Sequence, residues 1–308
     1  MALLMTTLWV RIKGFILTLV LVVTVSQAAT ADLNQRWKME RRGRLDQRGL
    51  ISRLAGYHVV FLGFSDFLTW LRGFRDNAET LRKDLRVSSV SFVNGLFFGT
   101  YEDNARTLAR EFLRVYEAGG RKPLIVIGNP QSGPYGLYAV LKKPALLSMV
   151  AKLILLTPAF GSPLADSATS CDSRGFLPCR WLGDFFGGQV MKFRTKSTRD
   201  LFVENIRSLS PVDHEQLNAK LYYVRGASSL LRINPLLAPS YAMLRPYGPT
   251  DGVSFTRDQK LAGIGTDLGV VPVNHWDLFA SMPPANSPAS FRKTFTRALL
   301  KEVFTRIP

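Results

Sequence analysis

Between residues 122 and 141 the chain reads KPLIVIGNPQSGPYGLYAVL, and this stretch narrows the accessible folds more than any other. Leu124-Ile125-Val126-Ile127 is an unbroken bulky apolar run, the pattern of a strand covered on both faces. Gly128-Asn129-Pro130-Gln131-Ser132-Gly133-Pro134 follows and is dense in turn-forming residues. From Tyr135 to Leu141 the pattern turns amphipathic, as in a helix. A doubly covered strand that passes through a tight turn into a helix belongs in a parallel sheet, because crossover helices cover both faces of such a sheet.

The rest of the chain repeats that rhythm. Strand-like runs occupy residues 57–62, 87–93, 152–156, 220–226 and 268–273. Between them, Phe67, Leu68, Leu71 and Phe74 share one helical face, and Ala105, Leu108, Phe112 and Tyr116 share another. Asp103 and Asn104 offer caps for that second helix, and Gly119-Gly120 ends it. Residues 144–150 read as a short helix and residues 291–304 as a closing one. The rhythm breaks over about 164–215, rich in Ser, Gly, Phe and charge, which reads as an inserted cap. With 308 residues and 46% hydrophobic content, the chain suits one α/β domain. The expected architecture is a mostly parallel, doubly wound sheet flanked by helices, with a mid-chain cap insertion.

Arg11 and Lys13 precede an apolar run over residues 14–25, and Ser26-Gln27-Ala28 follows as a small-x-small cleavage signal. The run falls short of the roughly 20 residues of a spanning helix. Residues 1–28 therefore read as a signal peptide for periplasmic or secreted export, with an uncleaved N-terminal anchor as the alternative. Residues 29–55 read as a basic, solvated lead-in arm, and 56–308 as the α/β domain. The net charge of +17 is spread along the chain rather than gathered on one element with interleaved aromatics, so nucleic acid is not the expected partner. Peripheral contact with an anionic membrane surface fits better. In an exported chain the close pair Cys171 and Cys179 reads as a disulfide, whereas a metal site would need further ligands nearby. No cofactor or metal is expected.

Three groups that carry chemistry follow in order: Ser132 in the turn after the central strand, Asp251 in a later loop, and His275 directly after the last strand. In a serine triad the histidine takes the serine proton, while a buried carboxylate orients the ring and stabilises its charge. Each residue also has a plainer reading. Asp251-Gly252 is a common turn pair, His275 beside Trp276 can be a packed histidine, and Ser132 can be turn chemistry. His58 reads as structural and His214 as a surface residue. Phe160, Phe176, Trp181, Phe185 and Phe186 either line an acyl pocket or pack the cap, with packing the default.

The sequence resembles the α/β-hydrolase superfamily, in particular exported bacterial lipase- or esterase-like members. The resemblance rests on Leu62-Gly63-Phe64, Glu102-Asp103-Asn104-Ala105, the turn after the central strand, ILLTPAFGSPLAD, PTDGV and NHWDL. It covers most of residues 57–304 and implies Asp251 as acid, His275 as base, and the backbone at Gly63-Phe64 as one side of an oxyanion hole. Relatives carry Gly-x-Ser-x-Gly at the elbow, and the simplest register places Gly128-Asn129-Pro130-Gln131-Ser132 over it, with Pro130 at the nucleophile position. A two-residue shift instead makes Ser132 the nucleophile, with Gly133 and Phe64 as the oxyanion donors. The expected function is an exported serine hydrolase acting on a small-molecule or lipid carboxylic ester. The alternative is an inactive hydrolase-fold protein that binds a ligand or contacts the envelope. Polyanion binding from charge alone is a third reading.

Overall fold

The computed structural model describes residues 32–44, 46–64, 74–95, 99–161, 196–280 and 287–306. In chain order the elements begin with α1 (Leu33–Arg41), α2 (Arg48–Leu54), β1 (His58–Phe64) and α3 (Arg75–Glu79), which runs into a π turn at Thr80–Asp84. Next come β2 (Val90–Gly95), α4 (Tyr101–Ala118), β3 (Leu124–Gly128), α5 (Ser132–Lys142) and β4 (Val150–Leu156). The described chain closes with α6 (Lys196–Arg207), α7 (Pro211–Lys220), β5 (Leu221–Gly226), α8 (Ala238–Leu244), β6 (Thr266–Val271) and α9 (Ala289–Thr305).

The strands form one sheet in the order β2-β1-β3-β4-β5-β6, and every neighbouring pair is parallel. Side chains along a strand alternate between faces, so each apolar run feeds two cores. Val60, Leu62, Val126 and Leu155 join α4 and α5 on one side. Val59, Phe61, Ile127 and Ile154 join α1, α3 and α9 on the other. This double burial is why the central strands lack polar alternation in the sequence.

Two local expectations are corrected. Thr100, not Asp103 or Asn104, caps α4: its hydroxyl accepts from the Asp103 amide at 3.1 Å, and the Asp103 carboxylate answers the Thr100 amide in a capping box. Asn104 sits inside the helix and donates to the Gly99 and Thr100 carbonyls. Residues 144–150 narrow to a 3-10 turn at Pro144–Ser148. Within the segment read as an insertion, α7 leads directly into β5 as an ordinary crossover helix, and Phe202 of α6 is buried against Tyr101, Tyr138 and Phe160.

The lead-in arm is not solvated over its described part. Leu33, Trp37, Leu50 and Leu54 are buried in the core shared with α9. The Trp37 ring meets Phe291 edge-on at 4.4 Å, and its Nε1 donates to Thr294 Oγ1 at 3.1 Å. Glu302, itself buried, pairs with Arg36 and Arg306, and Arg297 pairs with Glu40. The basic residues misled because the intervening apolar positions, spaced for one helical face, were outnumbered by charge. Among the described residues, no helix is long and apolar enough to cross a membrane.

Docking of the arm predicts that Trp37→Ala lowers unfolding free energy by about 3–5 kcal/mol, the range for emptying a buried large aromatic site. Urea unfolding followed by circular dichroism measures it, and a solvated arm would give a change near zero.

Candidate active site

The carboxyl ends of parallel strands are where an open α/β sheet presents its chemistry. At β3 the backbone leaves the strand at Gly128 and enters α5 at Ser132, so Asn129, Pro130 and Gln131 form the turn. A Cβ on Gly128 would lie 2.4 Å from the Gly133 Cα and 2.6 Å from its nitrogen, and one on Gly136 would lie 2.5 Å from Leu62 Cδ1. Missing side chains at these positions let α5 lie directly on β3 and β1. Pro130 is the middle residue of that turn. Gln131 has φ −95°, and none of Asn129 to Gly133 has positive φ. The turn is therefore unstrained, as proline's fixed φ near −65° requires.

Ser132 is buried within the turn. Its Oγ accepts from the Asn129 amide at 3.0 Å and has two carbonyl acceptors for its single proton, Asn129 O at 2.7 Å and Leu62 O at 2.8 Å. The hydroxyl thus fastens the turn to β1. Asn129 points the other way, its Nδ2 donating to Leu156 O at 2.8 Å and Thr157 Oγ1 at 2.7 Å. Its Oδ1 is buried without a partner among the described residues.

Asp251 and His275 come together. Asp251 Oδ2 lies 2.7 Å from His275 Nδ1, with both side chains almost wholly buried. Asp251 Oδ1 accepts from the Val253 and Ser254 amides at 2.9 Å each, so the turn at Asp251-Gly252 is itself what holds the carboxylate. Gly252 has φ +100° and packs against Ile233 and Leu237. The His275 amide donates to Asp251 O at 3.1 Å, joining the two loops by backbone as well. The loop after β6 closes on itself: Asn274 N–H donates to Asp277 Oδ2 and Trp276 N–H to Asn274 Oδ1. A carboxylate accepting at Nδ1 places the ring proton there and leaves the lone pair of the neutral ring on Nε2. His275 Nε2 is buried and has no hydrogen-bond partner among the described residues.

Of the candidates, Asp251 and His275 meet, whereas Ser132 bonds elsewhere. Gly133, proposed for the oxyanion, has its nitrogen pressed against β3. Phe64 is the last residue of β1, in register with Gly95. Phe160 is core, edge-on to Phe202 at 5.1 Å. His58 bonds Ser91 Oγ at 2.8 Å at the start of β1, as a structural residue does, and His214 is half-buried on α7. Cys171, Cys179, Phe176, Trp181, Phe185 and Phe186 lie outside the described residues, as do positions 1–28. Sequence reasoning passed over Thr157, which follows β4 with φ +43°, a rare value for a β-branched residue. It takes the Asn129 bond, and its Oγ1 lies 3.5 Å from the His275 carbonyl. Only the position of Thr157 at a strand's carboxyl end hinted at it.

Two consequences can be measured. Ser132→Ala leaves the buried Asn129 amide without its acceptor and should cost about 1–3 kcal/mol of stability, read as a lower urea midpoint. Half-buried Asp277 is held above the usual carboxylate range by desolvation, only partly opposed by the Asn274 amide. Its folded form binds the proton more tightly than the unfolded chain, so stability should fall as pH rises from the unfolded value of about 3.9 through the raised one. In Asp277→Asn that component of the pH dependence of the melting temperature should vanish.

No protein-family profile and no curated protein matches the sequence. Solved structures do. The mature form of the lipase BlEst2 from Bacillus licheniformis is 21% identical with a TM-score of 0.58, over 71% of this chain and 84% of that one. A metagenomic carboxyl esterase is 19% identical with a TM-score of 0.57, over 82% of this chain and 75% of that one. At such identities the likeness is one of fold, and it agrees with the all-parallel six-stranded sheet and its flanking helices. The chain has the α/β-hydrolase fold, in the form shared with lipases and esterases.

Proposed function

We propose that this chain takes a carboxylic ester or other acyl-bearing ligand, lipids included, at the Asp251–His275 site, and that it does so without a serine-bound intermediate. One observation carries the reading: the acid–histidine pair is joined at 2.7 Å and buried, while the turn that would present a hydroxyl to it holds Pro130. A chain with no use for the pair has no reason to build two loops that converge on one imidazole. The ligand class is inferred from fold likeness to a lipase and a carboxyl esterase.

The rival reading keeps Ser132 as nucleophile, with Gly133 and the Phe64 backbone at the oxyanion. The three bonds made by Ser132 Oγ inside the turn weigh against it. Export belongs to the same proposal: Arg11 and Lys13, the apolar run and the Ala28 cleavage signal support it. Exposed Lys38, Arg41 and Arg42 on and beside α1 suit work at an anionic envelope surface, and a disulfide between Cys171 and Cys179 would fit that compartment.

Treatment with a fluorophosphonate probe and peptide mapping tests the reading. Wild type should carry no adduct. Pro130→Ser combined with Ser132→Gly restores the Gly-x-Ser-x-Gly pattern and should gain an adduct at position 130. An adduct on Ser132 in wild type, lost in Ser132→Ala, would return the chain to the serine hydrolases.

A further inference from the structure

We propose that His275, oriented by Asp251, acts as a general base on a water molecule, so that an ester is cleaved by direct attack of that water with no covalent enzyme intermediate. The inference rests on the ester-site reading above and names the chemistry of that site.

Two buried acceptors stand without partners among the described residues. Buried polar atoms without partners are rare and call for an explanation. His275 Nε2 and Asn129 Oδ1 are both in that state. The amide of Asn129 cannot be turned to cure this, because its nitrogen is needed by the acceptors Leu156 O and Thr157 Oγ1. The carboxylate of Asp251 likewise fixes the imidazole so that Nε2 is the accepting nitrogen. Both residues are tied to Thr157, Asn129 through Nδ2 at 2.7 Å and His275 through its carbonyl at 3.5 Å. Among the described residues none supplies a hydroxyl to Nε2: Pro130 has none, and Ser132 spends its proton on Leu62 O or Asn129 O. A water molecule carries the O–H donor that an accepting Nε2 needs.

The chemistry balances with water as the co-reactant. His275 Nε2 takes one proton from the water as the water oxygen forms its bond to the acyl carbon, and the carbonyl π pair moves to the carbonyl oxygen. When the tetrahedral adduct collapses, the bond to the alcohol oxygen breaks with its electron pair, and that oxygen takes the proton back from Nε2. The products are the carboxylic acid and the alcohol, and His275 is restored. The ion pair with Asp251 stabilises the imidazolium between the two proton transfers, as in a triad.

The experiment uses the full folded protein with p-nitrophenyl butyrate, compared with His275→Ala and Asp251→Asn, each checked for fold by circular dichroism. Wild type should turn over without a pre-steady-state burst of p-nitrophenol and without inhibition by the fluorophosphonate. His275→Ala should lose about 100-fold or more, the low end for removing a general base, and Asp251→Asn should fall with it. Turnover that matches His275→Ala overturns the proposal. In that case calorimetric binding of N-butylbutanamide, an uncleavable ester isostere, abolished by His275→Ala, would leave the ester-site reading standing. Turnover with a burst and a serine adduct overturns both.

Discussion

The carboxyl edge of the sheet is organised by how closely α5 approaches β3. Gly128 and Gly133 are in backbone contact, a separation that no side chain on Gly128 would permit. Once helix and strand are that close, the turn between them has little length, and the Ser132 hydroxyl becomes its fastening to β1 rather than a projecting group. In working elbows the nucleophile sits at the apex of such a turn in a strained backbone conformation. Here the middle of the turn is Pro130, whose ring excludes that conformation, and the positive φ lies instead at Thr157, φ +43°. The scaffold has kept the spacing of an elbow and changed what the spacing presents.

What surrounds the apex has not been dismantled. The Asp251 carboxylate accepts from two backbone amides and one imidazole, so the loop that carries it is folded around its charge. The backbone bond from His275 to Asp251 means that neither loop is placed without the other. Beneath them, Ile233, Leu237, Tyr241 and Val253 form a small core of their own, with Trp276 packed against it. A buried histidine that is both oriented and left with an open nitrogen is costly to maintain as mere packing, because an unpartnered buried acceptor is penalised.

The sequence made the sheet legible because burial on both faces leaves an unmistakable signal: unbroken runs such as Leu124 to Ile127, each ended by glycine or a turn. The Asp251–His275 pair was legible for a different reason, since the connections that follow neighbouring strands converge at one edge. Ser132 stayed open between two readings because a turn serine and a nucleophile look alike in one dimension. In three dimensions its hydroxyl points toward Leu62 O. The arm was misjudged because Leu33, Trp37, Leu50 and Leu54 are sparse among charges, and their partners lie at the far end of the chain. No local pattern reports a partner so distant in sequence.

That distance has a bearing on how the molecule comes to be folded. Trp37 and Thr294 are 257 positions apart, and Glu302 answers Arg36 from the last helix. Contacts of such long separation form late, since loop closure must precede them. As the chain emerges from synthesis, α1 and the edge it covers wait for α9, which is made much later. The clasp between α1 and α9 therefore makes packing of the arm conditional on α9: without that helix, Trp37 and the apolar face of α1 stay uncovered.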